Sequence, residues 1–332
     1  MSDRNGTLSP AVPAFAVEAR RLAACPSCGS DSVTDLLSAP DRFHLRKELY
    51  HLVRCAECLL VWQACPPAPE QMGRHYTREY HDAIVSSGER FATDRWNPLV
   101  KLISEFKQGG ALLDIGCSSG GFLSMMKSPA WTLYGIEMDE LSAQRARSRT
   151  CATVFVGDAL DVPIQCASFD AITCFDVLEH IYNPRQFLAK VWEWLKPEGI
   201  FCAVIPNIES WEARVFGTHW YGLELPRHLF HFSPSSLRRL ATSFGLEEVL
   251  VKTPPTSYIE RSVGYVCSDL FEKLGFVPAP QAHSAPPKLP LRVLRKAFRL
   301  AVIAPVSHMA ALAGAGPSME VVFRKPPLRD PF

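Results

Sequence analysis

The chain has 332 residues, a length that allows two domains of ordinary size or one large domain with an accessory module. Hydrophobic residues make up 47% and charged residues 21%, and this composition excludes a wholly disordered or fibrous protein. The 35 Lys and Arg residues nearly balance the 34 Asp and Glu residues, so the formal net charge of +1 excludes a strongly basic coat for nucleic acid.

Residues 1–24 are predicted to be a flexible leader. The N-terminal stretch lacks the basic start and long apolar run of a secretory signal, so none is expected. The 11 cysteines of the chain are scattered and odd in number. That usage is typical of free thiols in a reducing compartment and unlike a secreted disulfide framework. We therefore expect a cytoplasmic protein.

Two C-x-x-C pairs follow the leader, formed by Cys25, Cys28, Cys55 and Cys58. A turn of this kind lets two thiolates bind one tetrahedral ion, and two such turns complete a closed shell of four. The pattern predicts a structural Zn²⁺ in an N-terminal zinc ribbon over residues 25–75. Residues 25–65 contain five acidic and four basic side chains, a balance that argues against nucleic acid as a partner.

Strand-like and helix-like segments alternate from Trp96 to Lys252, which is typical of a parallel sheet covered on both faces. The predicted strands are Ala111–Ile115, Thr132–Glu137, Val154–Gly157, Ala171–Phe175, Gly199–Ile205, Leu246–Val251 and Met319–Arg324. The predicted helices include Glu140–Arg149, Pro184–Leu195 and Pro234–Phe244. The last two strands are expected to form an antiparallel hairpin.

The string LLDIGCSSGGFL joins the first of these strands to a helix. Asp114 lies in the strand, Gly116 permits a tight turn, and Gly120 lets the backbone approach a ligand closely. Glu137 closes the next strand about 20 residues later, where a carboxylate can accept both ribose hydroxyls. Asp158 follows the third strand, where it would meet an adenine edge.

Two nucleotide cofactors use this layout. A dinucleotide favours G-x-G-x-x-G, whose middle glycine admits the pyrophosphate, and Ser118 occupies that position here. Asp114 would also repel a pyrophosphate, whereas S-adenosylmethionine carries an ammonium and a sulfonium and no phosphate. The electrostatics therefore favour the methyl donor, and a glycine-rich turn without a ligand is the alternative.

On these strings the chain resembles the class I S-adenosylmethionine-dependent methyltransferases. LLDIGCSSGG, YGIEMD, GDAL and FDAITCFDVLEHIYNP resemble the family's first four motifs, and WLKPEGIFCAVIPN resembles the fifth strand of small-molecule members. The resemblance implies an α/β fold with a doubly wound, seven-stranded, mostly parallel sheet over residues 88–252 and 319–326. Bacterial members of this branch often carry an N-terminal zinc ribbon. Ser118 is a departure, since a glycine is common there.

The resemblance also implies which residues hold the cofactor. They are Asp114, Gly116 and Gly120 at the methionine end, Glu137 at the ribose, Asp158 and Ala159 at the adenine, with Cys117, Met138 and Phe175 completing the set.

Methyl transfer to an oxygen benefits from a base, and histidine is the usual choice near neutral pH. The candidates are His180, His219, His228 and His231. His180 follows the fourth strand and His228 lies in the segment after the fifth, so we favour these two, with His231 third. Each has the alternative of being a hydrogen-bonded structural group. Arg227 is expected either to hold an anionic substrate group or to pair with Glu224.

The sequence therefore predicts methyl transfer to a small-molecule acceptor, at oxygen rather than carbon. The acceptor is expected to be a sugar, a lipid-linked molecule or a secondary metabolite. The string after the fourth strand lacks the prolines and aromatic ring with which amino-methylating enzymes grip a flipped base. Three alternatives stay open: a sugar C-methyltransferase, suggested by the aromatic connector with Tyr76 and Tyr80; an RNA methyltransferase; and a non-catalytic zinc-ribbon binding protein. The sequence does not specify the oligomeric state.

Residues 253–318 form an insertion of basic character between the last two strands. A basic stripe at helical spacing runs through Arg292, Arg295, Lys296 and Arg299. Such a helix can serve as a substrate lid, or can contact an anionic membrane surface through residues 288–303. A surface helix with a solvated basic face is the alternative.

Overall fold

The computed structural model describes residues 24–77, Tyr80, 92–275 and 296–327. Nearly all of the predicted leader and residues 276–295 of the predicted insertion lie outside these described residues. Arg292 and Arg295, half of the basic stripe, lie within residues 276–295, so the stripe stays a prediction, and so does its contact with a membrane.

The described chain alternates strands and helices as the sequence pattern predicts. The strands are β1 (Val33–Pro40), β2 (Leu49–Cys55), β3 (Val61–Gln63), β4 (Gly110–Ile115), β5 (Trp131–Glu137), β6 (Thr153–Val156), β7 (Phe169–Phe175), β8 (Leu195–Pro206), β9 (Phe230–His231), β10 (Glu247–Lys252) and β11 (Ser318–Arg324). The α-helices are α1 (Pro69–Met72), α2 (Ala92–Phe106), α3 (Gly121–Met125), α4 (Glu140–Thr150), α5 (Pro184–Trp194), α6 (Trp211–Phe216), α7 (Pro234–Thr242), α8 (Ile259–Lys273) and α9 (Ala304–Leu312).

Capping side chains fix where several helices begin. Ser233 accepts a hydrogen bond from the N–H of Ser236 at the start of α7, and Pro234 occupies the first helical position. Asn183 caps α5 in the same way, again followed by a proline. A side-chain cap of this kind stabilises a helix by about 1 kcal/mol.

The larger sheet has seven strands in the order β10-β11-β8-β7-β4-β5-β6. β11 runs antiparallel to both of its neighbours, and the pairs β7–β8, β4–β7, β4–β5 and β5–β6 are parallel. This order confirms the predicted doubly wound sheet and its terminal hairpin. It also brings the carboxyl ends of β4, β5, β7 and β8 to one edge, where a site is expected.

The smaller sheet contains a strand that the sequence did not predict. Its order is β1-β2-β3-β9, and β9 comes from the segment after β8 rather than from the cysteine-rich segment. Val61 pairs with His231, and Trp62 pairs with Phe230. Trp62 and Phe230 belong to the same buried core as Ile172 of the larger sheet. The two sheets therefore share one core, although the cysteine-rich segment was predicted as a unit ending at residue 75.

The described part of residues 253–318 is helical. It contains α8, a π-helical turn at Arg299–Ile303 and α9. Within the described residues, no helix combines the length and apolarity needed to cross a bilayer.

Candidate active site

A cavity of about 980 Å³ lies at the carboxyl ends of β4, β7 and β8. Its wall is formed by the turns after β4 and β7, by the segment after β8, and by residues 257–261 and 299–303 of the predicted insertion. Ligands of open α/β sheets bind at this edge. Described residues of the insertion therefore line part of the cavity, and a role of the insertion as a substrate lid stays a prediction.

The turn after β4 passes through three residues with positive φ: Gly116 at 75°, Ser118 at 48° and Gly120 at 76°. A Cβ on Gly116 would lie 2.4 Å from Cγ2 of Val177, so glycine is required there. Ser118 adopts the left-handed conformation without being glycine, and its N–H donates to Oε2 of Glu137 at 2.9 Å. The turn exposes backbone that a ligand can approach closely.

Glu137 supports this turn from the end of β5. Its Oε2 binds Ser118, and its Oε1 accepts from the N–H of Asp139 at 2.9 Å. A carboxylate offers about four lone-pair sites, so both oxygens keep capacity for a further donor. Glu137 therefore fits a ribose and also orders the glycine-rich turn.

Asp114 is a buried carboxyl in the cavity wall. Thr173 donates a hydrogen bond to its Oδ1 at 2.7 Å. Burial raises the pKa of Asp114 to about 7, since it outweighs the hydrogen bond from Thr173 and the nearby charge of Glu137 raises the pKa further. A cationic group in the cavity would favour the ionised carboxylate. The site thus fits a ligand that carries an ammonium, as S-adenosylmethionine does.

The predicted cofactor-binding residues fall into two groups. Those that line the cavity are Asp114, Gly116, Cys117 and Phe175. Those that lie outside its lining are Gly120, Glu137, Met138, Asp158 and Ala159. Met138 is 74% exposed, Asp158 is exposed and accepts from the N–H of Leu160, and Ala159 is buried. The second group lies at the ends of β5 and β6 and at the start of α3.

The cavity lining contains an ion pair that the sequence did not predict. Nη2 of Arg95 lies 2.5 Å from Oδ2 of Asp176, and the guanidinium lies over the ring of Trp96. Both arginine and tryptophan line the cavity. The pair joins positions 81 residues apart, so no local pattern could have indicated it.

His180 and His228 pack edge to face in the cavity wall, with ring centroids 4.7 Å apart and ring planes inclined by 75°. His180 donates from Nδ1 to the carbonyl of Arg227 at 2.9 Å, and His228 donates from Nδ1 to the carbonyl of Gly222 at 3.0 Å. Burial lowers the pKa of His180 and lowers that of His228 to about 3. Both rings are therefore neutral, and Nε2 of each is an acceptor.

The other two candidate histidines lie outside the cavity lining. His231 is in β9, and its Nε2 donates to the carbonyl of Leu223 at 3.0 Å. His219 lies 2.9 Å from Asp269. His231 was the third candidate base, and its position in the smaller sheet fits the structural alternative instead.

Arg227 is buried and lies between two carboxylates, those of Asp41 and Glu224. These three side chains are here called the clamp. Nη1 of Arg227 lies 3.4 Å from Oδ2 of Asp41, and its Nε lies 3.3 Å from Oε1 of Glu224. The guanidinium also lies over the ring of Tyr80. Of the two predicted roles, the structure supports the pair with Glu224, since Arg227 is 1% exposed and does not line the cavity.

Glu224 connects this clamp to the cavity. Tyr80 donates from its hydroxyl to Oε1 of Glu224 at 2.5 Å, and Oε2 lies 3.6 Å from Nε2 of His228. Burial opposes ionisation, but the nearby charge of Arg227 and the hydrogen bond from Tyr80 favour the carboxylate, and the pKa of Glu224 lies below its ordinary value. An ionised carboxylate therefore lies beside the histidine pair.

The four predicted metal ligands form a separate cluster next to the smaller sheet. Sγ of Cys25 lies 3.4 Å from that of Cys58, and Sγ of Cys28 lies 3.6 Å from that of Cys55. All four are free thiols, and their sulfurs lie within 4.8 Å of one another. Tetrahedral Zn²⁺ at about 2.3 Å from each sulfur needs sulfurs roughly 3.8 Å apart, so the cluster fits this ion.

Comparison with known proteins identifies relatives of this chain. The family described as "Methyltransferase domain" matches residues 89–251, about half of the chain. A ubiquinone biosynthesis O-methyltransferase of Idiomarina loihiensis is 26% identical over 43% of this chain and 64% of its own length. An uncharacterized protein of Methanocaldococcus jannaschii is 32% identical over 42% of this chain and 54% of its own. The chain thus spans between half and two thirds of these relatives.

A solved structure shares the fold at low sequence identity. A chain from the complex of the Haloferax volcanii Trm112 methyltransferase activator with a methyltransferase is similar with a TM-score of 0.51 and 17% identity. The match covers 76% of this chain and 99% of that chain.

Proposed function

Because the chain belongs to the class I S-adenosylmethionine-dependent methyltransferases, we propose that it methylates an oxygen of a small-molecule acceptor. One observation carries the proposal: a single cavity joins the glycine-rich turn, where Asp114 is buried, to the neutral pair His180 and His228. The named ubiquinone-biosynthesis relative is an O-methyltransferase, which supports an oxygen acceptor. That the acceptor is a small molecule methylated at oxygen is part of the proposal.

The residues around the glycine-rich turn would hold S-adenosylmethionine. Asp114 would bind the ammonium, and Glu137 would bind the ribose hydroxyls with the lone pairs left on its carboxylate. When bound, S-adenosylmethionine supplies a methyl carbon whose C–S bond breaks as the acceptor oxygen forms the new C–O bond. Alignment of the two reactants supplies much of the rate enhancement.

The histidine pair would take the proton that the acceptor hydroxyl loses. Backbone carbonyls fix the tautomer of both rings, so that Nε2 of each can accept. Two rings this close share one proton, because charge on one disfavours charge on the other. Oε2 of Glu224, 3.6 Å from Nε2 of His228, would then stabilise the imidazolium.

We also propose that the four cysteines hold a structural zinc ion. A shell of four thiolates leaves no position open for a substrate, so the metal would stabilise the smaller sheet rather than take part in chemistry.

A carbon acceptor is the second candidate. The hydroxyl of Tyr76 lies 3.1 Å from Nδ1 of His180, which places the aromatic connector against the predicted base. NMR of the labelled product distinguishes an oxygen acceptor from a carbon acceptor, because an O-methyl and a C-methyl group differ in their chemical shifts.

The proposal is tested with methyl-labelled S-adenosylmethionine and a metabolite extract of the source organism. We expect labelled small-molecule product with the wild-type protein.

In calorimetry, Glu137→Ala should raise the Kd of S-adenosylmethionine by roughly 10- to 100-fold, because each lost hydrogen bond to a charged group costs about 1.5 kcal/mol or more. Glu140→Ala is the matched control, since that acid lies exposed on α4. Absence of binding in the wild type would refute the proposal.

A second prediction concerns pH. The cationic ligand favours ionised Asp114, whose pKa in the free protein is about 7. Below pH 7 the ligand must displace a proton, so we expect its Kd to rise about tenfold per pH unit. Affinity should level off above pH 7, until the ligand's α-amino group deprotonates near pH 7.7–8.0. Asp114→Asn should abolish the slope, and an equal wild-type Kd at pH 6 and pH 7.5 would contradict this role.

A further inference from the structure

Glu179 is a buried carboxyl in the cavity wall that the proposed function leaves unused. It follows β7, is 1% exposed, and lines the cavity. Neither of its oxygens has a hydrogen-bond partner among the described residues. A buried polar group without a partner destabilises the fold, so its partner is expected to enter with a ligand.

The neighbours of Glu179 are acceptors as well. Nε2 of His228 lies 4.0 Å from Oε1 of Glu179, and one nitrogen of His180 lies within 4.8 Å of both groups. Each imidazole already donates its Nδ1 proton to a backbone carbonyl. The three side chains, here called the acceptor cluster, therefore converge on one point without supplying a donor from the rings.

A pair of hydroxyls satisfies such a cluster. Each O–H reaches its acceptor over about 2.7–2.8 Å, so two hydroxyls on neighbouring carbons can bind Glu179 and the histidine pair at once. Burial raises the pKa of Glu179 well above its ordinary value, and a neutral carboxyl both donates and accepts, as a hydroxyl does. A neutral carboxyl also gives no preference to a cationic acceptor.

We infer that the acceptor cluster of Glu179, His180 and His228 binds a vicinal diol. One hydroxyl would present its proton to the histidine pair and be methylated, and the neighbouring hydroxyl would hydrogen-bond Glu179. Glu179 is then a specificity-determining residue. The inference rests on the proposed methyl transfer and adds the class of acceptor.

The test measures binding without turnover. Saturation-transfer NMR with the protein and S-adenosylhomocysteine compares two probe pairs: catechol with phenol, and cis-cyclohexane-1,2-diol with cyclohexanol. In at least one pair we expect the diol to bind about tenfold more tightly than its mono-ol, which is the effect of one well-placed hydrogen bond. Glu179→Leu should remove this preference, and Glu179→Gln should keep part of it.

Asp170→Asn is the matched control, because Asp170 lies at the opposite end of β7 and outside the cavity lining. It should leave the diol preference unchanged. Equal binding of diol and mono-ol in both pairs would overturn the inference, and so would a preference that survives Glu179→Leu. Binding of Mn²⁺ that is lost in Glu179→Gln would overturn it too, by showing a metal site. Labelled methyl transfer that persists in these cases would leave the proposed function standing.

Discussion

Replacing either cavity histidine by asparagine is expected to lower kcat by about 10²- to 10⁴-fold, the usual contribution of a general base. Asparagine can still donate to the carbonyls of Arg227 and Gly222 that now bind the rings, so the local fold should persist. Asparagine has no basic nitrogen, so it cannot take the proton that the acceptor hydroxyl loses. The measurement is kcat and KM with the acceptor found by labelled transfer.

The double variant His180→Asn/His228→Asn separates a shared role from two independent ones. If the pair takes one proton between its rings, the double variant should be about as slow as the slower single variant. Multiplicative losses would contradict a shared proton. His231→Gln is the matched control, because its amide can still donate to the carbonyl of Leu223 in place of Nε2. His231 is as buried as His228 but lies outside the cavity lining, so kcat of this variant should stay within a few-fold of the wild type.

The pH profile gives an independent check on the same pair. The pair must be neutral to accept a proton, and burial lowers the pKa of both rings below the ordinary histidine value. We therefore expect kcat to stay on its plateau as pH falls through about 6.5, where an exposed histidine would already titrate. A fall in kcat centred near pH 6.5 would indicate a different base.

The fold was largely predictable because its signals are local. Apolar runs such as Ala171–Phe175 and the glycine-rich string after β4 each fit within a dozen residues, and the order of a doubly wound sheet follows from such units. β9 was not predictable, because two residues carry no periodicity. Phe230 and His231 join the smaller sheet only through long-range pairing with β3.

The site was predictable only in part, because some of its contacts join residues that are far apart in the sequence. The family motifs place Asp114, Gly116 and His180 at the cavity, but the clamp around Arg227 joins it to Asp41, 186 positions away. Sequence spacing indicated only Glu224, three residues from the arginine. Glu179 adjoins His180 in the same motif, yet nothing in the sequence shows that its carboxyl is buried without a partner.

The second large effect is expected from Arg227→Leu. Asp41 and Glu224 would lose the cation between them, and removal of one partner from a buried ion pair costs about 3–5 kcal/mol. We expect a loss of this size in the free energy of unfolding, measured by urea denaturation. Arg238→Leu is the matched control: it breaks a bidentate pair with Glu248 at the surface, which should cost at most about 1 kcal/mol.

The destabilisation should depend on pH in a defined direction. Burial would raise the pKa of Asp41, but hydrogen bonds from His75 and His44 and the charge of Arg227 hold it well below its ordinary value. A depressed folded-state pKa stabilises the protein above the unfolded value of about 3.9, and that contribution is lost as pH falls below it. The difference between wild type and Arg227→Leu should therefore be full near pH 7 and should shrink below about pH 4.

This clamp also connects the cysteine-bearing sheet to the predicted chemistry. Asp41 follows β1, whereas Glu224 lies beside His228. Because Arg227 binds both carboxylates, the position of Glu224 depends on that of Asp41. Arg227→Leu should accordingly lower kcat as well as stability when assayed well below its unfolding transition. A variant that loses the expected free energy of unfolding but keeps wild-type kcat would show that Arg227 stabilises the fold without positioning Glu224.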